Sequence, residues 1–222
     1  MCGRFTLEPT AKFYERFQIE NRLDRLVPRY NIAPGQQVPV VISRSPNRVL
    51  MMHWGLIPHW AKDPKVGYKM INARIETVAE KPSYRSSVKA KRCLIPASGF
   101  YEWHKSIRGK EPHFIGLKDE KLFGFAGLYD IWKNEKGEEV YSFTIITRPA
   151  NKFMAKLHDR MPVILYPEHE AQWLNKNITD PNDALMFLEP TIDSRMFEYT
   201  VSALVNKPEN DSPEIIKPIK RQ

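Results

Sequence analysis

Cys93-Leu94-Ile95-Pro96-Ala97-Ser98-Gly99-Phe100-Tyr101-Glu102-Trp103 holds a strand-like run at 93–95 and the start of another at 100–104, parted by a breaker-rich Pro-Ala-Ser-Gly segment. Side chains alternate along an extended chain, so Phe100, Glu102 and His104 face one way, Tyr101 and Trp103 the other. A carboxylate flanked by aromatic rings is desolvated, which raises its pKa and suits it to proton transfer. A strand-edge glutamate in a salt bridge fits the same residues about equally well in so basic a chain. Working outward, similar short runs recur at 38–42, 49–54, 113–117, 122–129, 141–147 and 198–202. Asn134-Glu135-Lys136-Gly137 reads as the hairpin turn joining two of them. Helices are expected at 151–157, 168–175 and 183–188, and Thr10 is placed to cap a short one carrying Phe13, Tyr14 and Phe17. Many short strands with few helices predict one α+β domain built on antiparallel sheet. Residues 207–222 are polar and proline-bearing and read as a partly ordered tail along the surface.

The bulk properties set limits on function. The 222 residues, 42% of them hydrophobic, suffice for one real core. A net charge of +8 favours polyanion partners but equally describes an ordinary basic protein. No apolar run approaches the roughly 18–20 residues of a membrane span. The opening Met-Cys-Gly-Arg-Phe-Thr-Leu-Glu has no apolar h-region, so no secretory signal is expected. Two cysteines are too few for a disulfide framework or a four-cysteine zinc site, which points to the cytoplasm and to no metal.

Cys2 follows the initiator methionine directly. Removal of Met1 would leave an α-amine and a thiol on one residue. Their reference pKa values, about 7.7–8.0 and 8.5, leave both with a nucleophilic fraction at neutral pH. Such an aminothiol condenses with an aldehyde to an imine, and sulfur then closes a thiazolidine ring with the advantage of proximity. Position alone favours an incidental residue with Met1 retained.

Other segments join turn chemistry to basic or reactive side chains. Arg29-Tyr30-Asn31-Ile32-Ala33-Pro34-Gly35 reads as a proline–glycine turn, or equally as an ordinary loop. In His53-Trp54-Gly55-Leu56-Ile57-Pro58-His59-Trp60, Trp54 suits a core and Trp60 an exposed stacking position. Asn72, Arg74 and Glu76 share a face if extended, and suit a solvated surface or a groove. Tyr84 and Arg85 lie among Lys81, Lys89, Lys91 and Arg92, a cluster able to track phosphates although such runs are more often solvated faces. His158-Asp159-Arg160 follows an expected helix, with His158 able to carry protons near neutral pH.

In their order along the chain, MCGRF at 1–5, RYNIAPG at 29–35, WGLIPHW at 54–60, INARIET at 71–77, CLIPASGFYEW at 93–103 and HDRMP at 158–162 resemble the SOS-response-associated peptidase family. The resemblance runs to about residue 205. It implies a single compact α+β domain over 1–222, with an antiparallel barrel-like sheet, short flanking helices and a basic DNA channel. It further implies a monomer without cofactors that crosslinks abasic sites in single-stranded DNA through Cys2. The thiazolidine would shield the lesion during the DNA-damage response, alongside lyase-type chemistry and self-processing peptidase activity. The location implied is cytoplasmic, at the nucleoid when bound to DNA. By motif match, Cys2 is the nucleophile, Asn72 positions the amine or sugar, Glu102 assists ring opening and His158 is the acid–base partner. Arg4, Arg74 and Arg160 resemble phosphate-binding cations. Pro34 and Trp60 sit where members wedge or stack, and Tyr84, Arg85 and Trp103 join the DNA-contacting set. Ala61 stands where some members carry a second aromatic, so a preference for double-strand junctions is not implied.

Two other classes fit parts of the chain. N-terminal-nucleophile amidohydrolases also begin Met-Cys-Gly and use the amine as base. A noncovalent single-strand binding module, with Cys2 incidental, needs only the basic and aromatic residues.

Overall fold

Apolar alternation produces strands wherever the sequence carries it, and the computed structural model describes them within residues 2–44, 46–107 and 109–219. Thirteen strands occur among the described residues: β1 (Phe5–Leu7), β2 (Arg29–Ile32), β3 (Gln37–Ile42), β4 (Arg48–Trp54), β5 (Asn72–Arg74), β6 (Arg92–Ala97), β7 (Gly99–Ser106), β8 (Gly109–Leu117), β9 (Phe123–Lys133), β10 (Glu139–Pro149), β11 (Arg160–Pro162), β12 (Ile164–Leu165) and β13 (Met196–Thr200). Four α-helices, α1 (Phe13–Arg16), α2 (Arg85–Ala90), α3 (Pro167–Leu174) and α4 (Pro181–Leu185), are all short.

Strands β3, β4, β10, β9 and β6 pair in a ring and close a five-stranded barrel. Closure removes the open edges a flat sheet would leave. Four junctions are antiparallel, as expected from the sequence. The fifth, β4–β10, is parallel, with Ser142 opposite His53 and Phe143 opposite Trp54. Parallel neighbours need long connections, and the chain between these two supplies β6 and β9 of the ring. β5 also joins β10 in parallel. The second sheet, in the order β13-β8-β7-β1-β2, is antiparallel throughout.

The opening stretch connects the two sheets. β6 belongs to the barrel and β7 to the second sheet, so the chain changes sheets at Ser98. The Ser98 amide donates to the Thr6 carbonyl at 2.8 Å, and its hydroxyl accepts from the Glu8 amide at 2.7 Å. Gly99 lies against the Phe114 ring, and a Cβ there would also fall 2.9 Å from the Ile115 carbonyl oxygen. Only glycine fits this crossing. Phe5 packs edge-on to Trp54 (5.1 Å between centroids) and to Phe125 (5.8 Å), joining barrel and sheet in one core. A smaller core of Tyr101, Phe114, Val201, Val205 and Ile215 lies beneath the C-terminal segment.

Several expectations change. Thr10 gives α1 its backbone carbonyl, not a side-chain cap, and the helix stops before Gln18 at φ 51°. The helix expected at 151–157 is a single 3-10 turn, Met154–Lys156, because the Asn151 side chain takes the Met154 amide at 2.9 Å. Within 29–35, Pro34 and Gly35 form the expected turn, with Gly35 at φ 87°, while Arg29–Ile32 ahead of it is a strand on β1. The tail is built into the fold as far as residue 219. Ile215 is 1% exposed, and the Asp211 carboxylate accepts from the amides of Tyr30 and Asn31 and from Arg29. Met1 and the terminal Lys220, Arg221 and Gln222 lie outside the described residues.

Candidate active site and nucleic-acid interface

Cys2 is separated from β1 by Gly3 and Arg4 and is fully buried. The Asn72 side-chain amide donates to the Cys2 carbonyl at 2.9 Å. Asn72 can reach it because β5 is anchored on β10, with Asn72 opposite Ile145. Tyr84 supports this strand from behind, its hydroxyl 3.4 Å from the Asn72 carbonyl. The Asn72 Oδ1 is buried and has no hydrogen-bond partner among the described residues. The Cys2 sulfur faces the Arg4 carbonyl at 4.0 Å. Burial, reinforced by the charge of Glu102, pushes the Cys2 thiol far above its ordinary range. The thiol is therefore held protonated at neutral pH, with its reactivity suppressed.

Glu102 is 3% exposed. Its strand, β7, runs between β1 and β8, so it stands inside the sheet and not at an edge. Burial raises the Glu102 pKa, and His158, close enough to act on it electrostatically, pulls in the opposite direction. His158 is partly exposed; its Nδ1 lies 2.7 Å from Asp159 and 3.0 Å from the Arg160 amide. The structure thus gathers Cys2, Asn72, Glu102 and His158 from four separate stretches of chain.

The residues read as DNA contacts divide into two groups. Trp60 is 55% exposed, and Arg74 and Arg85 are also exposed; Pro34 and Trp103 are half-buried. Trp103 donates its indole N–H to Asn206 at 2.7 Å and lies 5.8 Å from the Arg4 guanidinium carbon. Arg4 is partly tied down, donating to Asn31 Oδ1 at 2.7 Å and to the Val205 carbonyl at 2.6 Å. Arg160 and Tyr84 are corrected in position. Arg160 is 8% exposed, holds Glu76 bidentately at 2.9 and 3.0 Å and donates to the Thr147 carbonyl at 2.8 Å. Its guanidinium pins β11 to β10 and pulls the Glu76 pKa down. Tyr84 is 6% exposed, and burial pushes its phenol up to about 12. Within the basic cluster, Arg92 is 4% exposed and caps the carbonyls of Trp173, Val88 and Asn175, while Lys91 pairs with buried Asp130. Lys81, Arg85 and Lys89 remain exposed.

Three supporting devices were not legible in the sequence. Asp130 is 1% exposed and accepts from the His59 amide (2.9 Å) and ring (3.0 Å), which fixes the loop presenting Trp60. Asn31, fully buried, donates to the carbonyls of Val205, Lys207 and Asn210 and orients Arg4. His113 stands opposite Glu102 on β8. Each depends on strands far apart in sequence, and an isolated Asp, Asn or His carries no local signal of that kind. Among the described residues no His, Cys, Asp and Glu group is arranged to hold a metal, and no helix is long and apolar enough to cross a membrane.

Comparison with known proteins places this architecture. Residues 1–208 match the family model described as SOS response associated peptidase (SRAP). The chain is 49% identical to the abasic site processing protein YoqW of Bacillus subtilis over 98% of this chain and 99% of that one. It is 36% identical to the abasic site processing protein HMCES of Xenopus tropicalis, over 88% of this chain and 68% of that protein. A crystal structure of a Bacteroides thetaiotaomicron protein superposes with a TM-score of 0.90 at 29% identity, covering 99% of this chain and all of that one. With that family model spanning the barrel, the second sheet and every residue of the Cys2 site, the chain belongs to the SOS response associated peptidase family.

Proposed function

We propose that this chain processes abasic sites in DNA, capturing them on single strands as a thiazolidine through Cys2 once Met1 is removed. The observation that carries the reading is the Asn72–Cys2 contact at 2.9 Å beside the buried Glu102. Relatives named abasic site processing proteins, at 36–49% identity, support the same substrate.

The chemistry follows from the groups present. An abasic deoxyribose is a ring-closed hemiacetal. Glu102 as carboxylate takes the C1′ hydroxyl proton and returns a proton to the ring oxygen, exposing the aldehyde. Burial raises its pKa toward the operating pH, which favours a group that both takes and returns a proton. The Cys2 α-amine adds to C1′, and loss of water gives the imine. The S–H then adds across C=N: sulfur bonds to carbon and the proton goes to nitrogen. One water is lost overall. Asn72 holds the Cys2 backbone so that amine and sulfur meet the same carbon. His158 supplies or accepts the proton that accompanies loss of water and, in reverse, ring opening of the crosslink.

Arg74, Arg85, Lys81 and Lys89 supply sequence-independent phosphate affinity, and Trp60 supplies a stacking face that accepts any base. Arg4 and Trp103, packed on each other near the N-terminal strand, complete the contact surface, while Tyr84 and Arg160 act from within by holding β5 and β11. The direct test is a denaturing gel of Met1-free protein mixed with an abasic single-stranded oligonucleotide. A slow-migrating adduct is expected, absent from Cys2→Ala. Failure of the processed wild-type chain to form an adduct would refute the reading.

A further inference from the structure

Glu102 is 3% exposed, and a DNA strand seated on the site covers it further. A carboxyl that changes protonation state during the reaction needs a path for its proton. Behind it, β8 brings His113 directly opposite Glu102 in antiparallel register. Residues so paired share a face, with Cβ atoms about 4.5–5.5 Å apart. His113 is 5% exposed, and its Nε2 is buried without a hydrogen-bond partner among the described residues. Its Nδ1 lies 2.6 Å from Glu198 Oε2 on the next strand, β13, and the Glu198 side chain is 36% exposed. Three adjacent strands therefore set a solvent-reaching carboxylate, a buried imidazole and a buried carboxyl side by side.

We propose that Glu198 and His113 form a proton route between solvent and Glu102. The inference rests on the reading of Glu102 as the acid–base group. The Glu198 carboxylate accepts the Nδ1–H and so fixes the tautomer that leaves the Nε2 lone pair free. A proton passes from the Glu102 carboxyl to Nε2, directly after a small ring rotation or through one water. This leaves a carboxylate and an imidazolium whose charge Glu198 balances. The Nδ1 proton then passes through Glu198 to water, and the reverse sequence reprotonates Glu102. The other titratable groups facing this row are Cys2 and His158, both within electrostatic reach of Glu102. On β7, the His104 ring lies 6.1 Å from that of His113, with Glu111 opposite His104. His158 serves the DNA side, so loss of the rear route slows the reaction and reshapes its pH profile without abolishing it.

The test is single-turnover crosslinking of His113→Gln and Glu198→Gln to an abasic single strand, from about pH 5 to 9, spanning the imidazole range. Affinity for an intact strand and the thermal midpoint are measured alongside. His113→Gln is expected to bind the intact strand like wild type. It should crosslink about 10²-fold more slowly, the low end of a proton-transfer contribution, with a pH profile of altered shape. Glu198→Gln is expected to slow crosslinking and alter the profile in the same way, because Nδ1 loses the acceptor that passes its proton to solvent. Glu198 is partly exposed, so this variant still reports if His113→Gln fails to fold. A wild-type profile in Glu198→Gln, or in a folded His113→Gln, overturns the route and leaves the crosslinking reading intact. A processed wild-type chain that forms no adduct removes both.

Discussion

Replacing Asn72 by alanine separates positioning from stability. In the structure its side-chain amide makes one bond, 2.9 Å to the Cys2 carbonyl, while its Oδ1 is buried without a partner among the described residues. A hydrogen bond contributes a net of about 0.5–1.5 kcal/mol, and a buried unsatisfied acceptor costs about 1–3 kcal/mol. Alanine removes the unpaired Oδ1 but leaves the buried Cys2 carbonyl without its donor, a cost in the same range of about 1–3 kcal/mol, so the two effects offset and the thermal midpoint should move little. The rate should respond differently. Without the anchor, the Cys2 backbone is free to shift, and about 1 Å of misplacement at a reacting centre costs on the order of 10²-fold. The assay is quenched single-turnover crosslinking at saturating protein, with adduct quantified on a denaturing gel and melting followed in parallel. Asn72→Asp makes the result sharper, because a carboxylate has no donor and repels the Cys2 carbonyl. Crosslinking by Asn72→Ala at the wild-type rate would refute the assignment of Asn72 as the residue that positions Cys2. A large drop in melting temperature would show that the Oδ1 is paired in solution and stabilises the fold.

Three further outcomes follow from the same geometry. Glu102→Gln should abolish or greatly slow crosslinking yet raise thermal stability at neutral pH. The folded-state pKa of Glu102 is raised by burial, so its stabilising contribution is complete below the ordinary glutamate range and declines as pH rises through the raised value. The gain over wild type should vanish in melts below about pH 4, the unfolded-state value. Trp60→Ala removes a ring that is 55% exposed; it should leave the melting temperature unchanged and weaken single-strand binding by about 1–3 kcal/mol in a fluorescence anisotropy titration. Arg74→Gln with Arg85→Gln should weaken binding to all sequences alike and reduce the salt slope by about 0.7 for each phosphate no longer neutralised, measured as affinity against salt concentration.

The local pattern was enough to locate most of the strands and the Asn134–Gly137 turn, where Asn134 Oδ1 accepts from the amides of Lys136 and Glu138 at 2.9 Å each and Gly137 adopts φ 79°. Alternation along 100–104 separated the face of Glu102 from that of Tyr101, and Trp60 stood out as exposed because breakers surround it. Local pattern failed where a long-range partner overrides it. Arg92 and Arg160 have the same composition signal as Arg74 and Arg85. They are buried only because carbonyls from α2 and α3, and Glu76 beyond β5, converge on them. A basic side chain shows its positive charge in the sequence but not what neutralises it.

By itself, then, the sequence determined the α+β class, the strand periodicity, the aminothiol chemistry latent at Cys2 and the ordered motifs that mark the family. Those properties are written in residue type and spacing over a few residues. The tertiary structure decided that the ring of strands closes with one parallel junction, that the chain changes sheets at Ser98, and that the C-terminal segment fastens onto Asn31 and Arg4. It also decided which polar groups are desolvated and what faces them. Glu102 became a buried carboxyl with His158 on one side and His113 behind it because β7 lies between β1 and β8. Burial and electrostatic coupling are properties of neighbours in space, and closing a barrel brings together residues that no spacing along the chain relates.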